Sequence, residues 1–179
     1  MRQLVRDLRR LVGQSDGLFA LSDLRALLPG HGDGAFRSIV FRLERSGEVV
    51  RVCRGIYLLP GSALQGSELL GRAAARLRAD RFNYLSLETV LSAAGVISQV
   101  PIGRITLMSS GRSSTISCGA YGTIEFVHTG KTPADLAPEL EYDPQCGLWR
   151  ASLRLALRDL RDTRRDTGLV NWDAANELV

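Results

Sequence analysis

The stretch DGAFRSIVFRLERSGEVVRVCRGIYLLPG, Asp33 to Gly61, constrains the fold more than any other part of the chain. Phe36, Ile39, Val40 and Leu43 recur at three- and four-residue steps, so a helix gathers them into one apolar stripe. The spacing predicts a helix from Asp33, a good N-cap residue, to about Ser46, closed by Gly47. Gly34, Arg37, Ser38, Phe41, Arg42 and Arg45 fall on the other side. Two β-rich runs then flank Cys53-Arg54-Gly55, the pattern of a hairpin. Such a stripe needs a partner, and upstream residues supply one. In RQLVRDLRRLVG the positions Leu4, Val5, Leu8, Leu11 and Val12 follow the helical rule, with Gly13 as a stop. GLFALSDLRALLPG reads as a short extended piece and a brief helix capped by Ser22 and ended by Pro29-Gly30.

Beyond Gly61, GSALQGSE has the small, polar composition of a linker. A helix in SELLGRAAARLRAD follows, then a short strand leading into a helix in FNYLSLETVLSAAGV. Three strand-like runs come next, separated by SSGRSS, which reads as a hairpin turn, and by CGAYG. TPADLAPELEYDPQCG is a proline-broken connection. LWRASLRLALRDLRDTRR predicts one long helix burying Trp149, Leu153, Ala156, Leu157 and Leu160, and Asn171 caps a short last helix. The expected architecture is α+β in two domains. Residues 1–61 form three helices and a ribbon, the order of a winged helix-turn-helix; residues 62–179 form an α/β domain whose small, mainly antiparallel sheet is flanked by helices.

Charge separates the two parts. The formal net charge is +4, and Lys131 is the sole lysine among 23 basic residues. Residues 1–61 hold 10 Arg against 6 Asp plus Glu, which accounts for the whole excess; residues 62–179 hold 13 basic and 13 acidic groups. A polyanion partner is therefore sought in the first third. An α-helix fits the major groove of a duplex, and a wing lies along the neighbouring backbone. The expected DNA contacts are Arg37, Ser38, Arg42 and Arg45 on the helix and Arg51 and Arg54 on the ribbon. Guanidinium groups serve both bidentate base contact and phosphate clamping. Arg150, Arg154, Arg158, Arg161 and Arg165 recur every three or four residues along the long C-terminal helix, the pattern of a solvated helix face or, alternatively, of a second basic surface for nucleic acid or an acidic partner.

Catalytic patterns are scarce. His31 and His128 have no nucleophile elbow nearby, Glu125 and Lys131 lack a tight nuclease spacing, and no P-loop or GxGxxG is present. The isolated Cys53, Cys118 and Cys146 form no CxxC pair, so neither a metal site nor a cofactor is expected and the thiols should be single. With no bilayer-length apolar run and no signal-peptide pattern, the sequence predicts a cytoplasmic protein that is not an enzyme.

The ribbon RVCRGIYLLPG, then YLSLETVLSAAGVI, ITLMSSGRSS…YGTIEFVHT, LRLALRDLRD and GLVNWDAANEL, in that order, resemble the AbiEi-family antitoxins of type IV toxin–antitoxin systems. The resemblance covers nearly the whole chain. It implies a winged helix-turn-helix that binds inverted repeats in its own promoter and represses the operon, and a C-terminal domain needed for antitoxicity. It also implies a nucleotidyltransferase-like toxin as functional partner, opposed without a stable complex, and no catalytic motif. Two alternatives remain open: neutralisation of the toxin by direct contact, and a transcription factor whose C-terminal domain senses a small ligand. Side-by-side monomers on the repeats and a preformed dimer fit the sequence equally.

Overall fold

The structure, a computed structural model, describes residues 2–12, 17–97 and 102–178. Gly13 and the side chains of Leu11 and Val12, expected to end the first helix and extend its stripe, lie outside the described residues. The described residues form a mixed α+β structure of eight α-helices and two mostly antiparallel sheets. The chain divides into two compact units, Met1–Gln65 and Gly66–Val179. The division falls after Gln65 rather than after Gly61. Leu64 is buried, and the Ser62 hydroxyl accepts its backbone N–H at 3.1 Å.

Unit 1 contains α1 (Arg2–Val12), β1 (Leu18–Ala20), α2 (Leu21–Ala26), α3 (Asp33–Arg45), β2 (Val50–Cys53) and β3 (Ile56–Leu58). Its three strands lie in the order β1-β3-β2, all neighbours antiparallel. The stripe read in the sequence is the core of the unit: Phe36, Ile39, Val40 and Leu43 are buried with Val5, Leu8, Phe19, Leu24 and Tyr57. Phe19 and Tyr57 face each other across β1 and β3 with ring centroids 5.8 Å apart.

The ends of α2 and α3 differ in detail from the sequence reading. Asp33 is the first helical residue and not the cap, which is Gly32. Its carboxylate instead takes the Arg25 guanidinium at 2.9 Å, close to the positive end of the helix dipole, and Arg25 also lies 4.8 Å from the Phe36 ring centroid. Ser22 does not cap α2 either. That helix starts at Leu21 with Ala20 at the cap position, two residues earlier, and Asp23 reaches back to the Ala20 N–H at 2.8 Å. Gly47, with φ +72°, ends α3, after which the N–H groups of Glu48 and Val49 both donate to the Leu43 carbonyl. These two bonds tie the start of the ribbon to the end of the helix.

Unit 2 contains α4 (Gly66–Leu77), β4 (Asn83–Leu85), α5 (Glu88–Ala93), β5 (Arg104–Ser109), β6 (Ser114–Ser117), β7 (Thr123–His128), α6 (Pro133–Leu136), β8 (Leu140–Asp143), β9 (Leu148–Ala151), α7 (Leu153–Asp162) and α8 (Trp172–Leu178). Its sheet has six strands in the order β6-β7-β5-β4-β9-β8. The pairs β5–β7 and β4–β9 are parallel and the other three are antiparallel.

Two expectations for this unit are overturned. SSGRSS is not a hairpin turn, because β7 lies between β5 and β6; Arg78 holds this connection through Ser109, the Arg112 carbonyl and Ser114. The long helix is in fact a strand followed by a shorter helix. Leu148–Ala151 pairs with both β8 and β4, and Ser152 then caps α7 by accepting the Leu155 N–H at 3.1 Å. Trp149 is accordingly not a core residue of a helix but a half-exposed strand residue set edge-on to Tyr142. Asn171 does cap the last helix, accepting the Ala174 N–H at 3.1 Å.

Candidate nucleic-acid interface

At 100° per residue, Gly34, Ser38, Phe41 and Arg45 run along one side of α3, with Arg37 on one flank and Arg42 on the other. All six are exposed. Glu44 lies on the Arg37 flank. The buried stripe centred on Leu43 faces the opposite way, so the packing that holds α3 in unit 1 also fixes which residues it turns outward.

The outward polar groups are ordered by their own helix. The Nε groups of Arg37 and Arg42 donate to the carbonyls of Asp33 and Ser38, one turn earlier, at 3.3 and 3.2 Å. The Ser38 hydroxyl donates to the Gly34 carbonyl at 2.9 Å. On the ribbon, Arg51 is exposed and its Nε donates to the Cys53 carbonyl at 3.4 Å across the irregularity in β2. Arg54 is exposed in the turn, where Gly55 adopts φ +84° as the tight connection requires. Among the described residues no carboxylate forms an ion pair with Arg37, Arg42, Arg45, Arg51 or Arg54. Elsewhere in the unit Glu48 pairs with Arg9 and Asp33 with Arg25. All six residues expected to contact DNA thus lie at the surface of unit 1, five of them guanidinium groups with no ion-paired carboxylate among the described residues. Such a surface can clamp phosphates and donate to base edges.

The second basic surface is corrected. Of Arg150, Arg154, Arg158, Arg161 and Arg165, only the middle three share α7. Arg150 belongs to β9 and pairs with Asp143 at 2.9 Å. Arg165 lies past the end of α7 and turns inward to Glu88, at 2.7 Å, and to Glu125. Burial disfavours the Arg165 charge, but the bonds to both carboxylates outweigh it and raise its pKa. Arg158 pairs with Glu139 at 2.8 Å, and Arg161 stacks 5.0 Å from the Trp172 ring centroid. Arg154, Arg158 and Arg161 remain on the exposed side of α7.

One cluster escaped the sequence reading. Asp159 is fully buried and accepts from Tyr84 Oη at 3.0 Å, Ser86 Oγ at 2.8 Å and Lys131 Nζ at 2.9 Å; Lys131 also reaches Asp162 at 2.7 Å. Burial, followed by the Asp159 charge, pushes the Tyr84 phenol far above its ordinary range. Burial works against the Lys131 charge, yet the bonds to Asp162 and Asp159 raise its pKa overall. Asp159 is enclosed and the cluster braces unit 2, while Lys131 and Asp162 reach the surface. The solitary lysine was its only trace in the sequence. Cys53, Cys118 and Cys146 are buried and form no disulfide. Among the described residues no group of three His, Cys, Asp or Glu side chains could hold a metal ion, and no helix is long and apolar enough to cross a membrane.

No family model and no curated protein matches the chain. Among solved structures it is similar in fold to the crystal structure of the RV2827C protein from Mycobacterium tuberculosis, with a TM-score of 0.57 and 18% sequence identity. The match covers 90% of this chain and 61% of that one, so the chain spans less than two thirds of the length of the protein it resembles in fold.

Proposed function

We propose that unit 1 is a winged helix-turn-helix that binds double-stranded DNA sequence-specifically, α3 entering the major groove and the β2–β3 ribbon lying along the adjacent backbone. The observation that carries this reading is the outward face of α3 together with the ribbon, where Arg37, Arg42, Arg45, Arg51 and Arg54 are exposed with no carboxylate paired to them among the described residues. In this reading Arg51 and Arg54 hold phosphates, while Arg37, Ser38, Arg42 and Arg45 address base edges. The wider function follows from the resemblance: a cytoplasmic autorepressor that binds inverted repeats in its own promoter and acts as the antitoxin to a nucleotidyltransferase-like toxin. Gel-shift titration of the region upstream of its own gene tests the first part. Arg37→Ala and Arg42→Ala should reduce the preference for that region over random duplex, and Arg51→Ala and Arg54→Ala should weaken binding to both. Variants that bind like wild type would remove the basis of the assignment. Growth rescue on co-expression with a neighbouring nucleotidyltransferase-like protein tests the second part; continued growth arrest would refute it.

Neutralisation by direct contact is a second reading, favoured by the exposed Arg154, Arg158 and Arg161 beside the half-exposed Trp172 and exposed Leu178 of α8. Co-elution with the toxin at equal stoichiometry supports it, and separate elution counts against it.

A further inference from the structure

We infer that Phe41 is a specificity-determining residue that reads the C5-methyl group of a thymine in the major groove; the inference rests on the DNA-binding reading of α3. Phe41 is 60% exposed, although the rest of the aromatic side chains of unit 1, Phe19, Phe36 and Tyr57, are buried. It stands at the middle of the outward face, where a solvated helix carries polar groups. It has Ser38 one turn before it, Arg45 one turn after it, and Arg37 and Arg42 on its two flanks. Residues 38, 41, 42 and 45 repeat the 3-1-3 spacing with which homeodomain helices present their base-contacting residues.

The neighbours narrow the chemistry further. A Cβ built at Gly34 meets nothing within 4 Å, so the folded chain itself leaves that space empty. Gly34 and Ser38 keep the first turns slim, which lets the helix sit deep enough for a side chain on its third turn to reach the bases. Arginines around Phe41 would engage phosphates and guanine edges. Phe41 itself donates and accepts no conventional hydrogen bond, and the one apolar group on the major-groove edges is the thymine methyl. A second copy of the chain fits this surface less well, because self-association through Phe41 would bring two arginine-flanked faces together.

The test begins with a consensus duplex selected from a random pool by the wild-type protein. Each thymine is then replaced in turn by deoxyuridine, which removes only the methyl group. The wild type should lose about fourfold in affinity at one thymine per half-site, the effect expected for one buried methyl. Phe41→Ala should bind the consensus more weakly and be indifferent to that methyl, and Phe41→Leu should retain part of the sensitivity. Because Phe41 is exposed, these variants should keep the wild-type circular dichroism spectrum and thermal midpoint. If a consensus emerges but no thymine methyl matters, or Phe41→Ala keeps the full sensitivity, the inference is wrong while DNA binding stands. If no consensus emerges at all, both fail.

Discussion

Lys131→Met isolates the buried cluster of unit 2 with a single change. The substitution keeps most of the side-chain length but removes the ammonium that faces Asp159 at 2.9 Å, leaving a fully buried carboxylate with two hydroxyl donors. Breaking a fully buried pair by deleting one partner costs about 3–5 kcal/mol. Lys131 keeps 29% of its side chain exposed, so water screens part of the interaction and the loss falls below that range. A charge-assisted bond to a buried group is worth about 1.5–3 kcal/mol. The contact to Asp162, which is half exposed, adds under about 1 kcal/mol. The expected loss is therefore about 2 kcal/mol. Both tryptophans, Trp149 and Trp172, lie in unit 2, so urea unfolding followed by tryptophan fluorescence reports this unit alone. At an unchanged slope the midpoint should move down by about 1 M, given a typical urea slope near 2 kcal/mol/M. A loss under about 0.5 kcal/mol would mean that the pair behaves as a surface ion pair, and the argument from the burial of Asp159 would be refuted.

Three further perturbations follow from the same unit. Burial raises the Asp143 pKa, but the Arg150 hydrogen bond and the N–H groups of Cys146 and Gln145 outweigh it, so the carboxyl lies below its ordinary range. Its contribution is present above the unfolded value near 3.9 and is lost as pH falls through the folded one, so Asp143→Asn should flatten the acid limb of stability measured below about pH 4. Lys131, whose pKa is raised, contributes below its unfolded value near 10.4 and loses that contribution as pH rises through the higher folded one, a loss absent from Lys131→Met. At Gly71 of α4 an added Cβ would fall 2.6 Å from Cys146 Sγ. Gly71→Ala should cost about 1–2 kcal/mol despite alanine's better helix propensity, and Cys146→Ala in the same chain should restore part of it; full wild-type stability in the single variant would show that the turn yields without cost.

What the sequence made legible was local. The apolar stripe of α3 is a 3.6-residue pattern within thirteen residues, and it revealed both the core and, by elimination, the outward face. The strand β9 was hidden because Leu148-Trp149-Arg150-Ala151 runs straight into a strong helical pattern, and only its pairing with two other strands makes it extended. The arginine stripe failed for the same reason: a regular spacing says nothing once the element changes at Ser152 and ends at Asp162. The inward turn of Arg165 depends on Glu88 and Glu125, which lie 77 and 40 residues away along the chain. Lys131 and Asp159 are 28 residues apart, and no spacing rule links them. Phe41 was visible on the outward face from the start, but its exposure gains meaning only when the other aromatic rings of the unit are seen to be buried.

The affinity of the protein for duplex DNA as a function of salt tests the central claim most directly. If the exposed guanidiniums of α3 and the ribbon meet phosphates, log affinity falls linearly with log salt, with a slope of about 0.9 per phosphate engaged. The double variant Arg51→Ala/Arg54→Ala should lower that slope by about 2 while keeping the preferred sequence. A wild-type affinity indifferent to salt, or a slope unchanged in the double variant, would contradict the account.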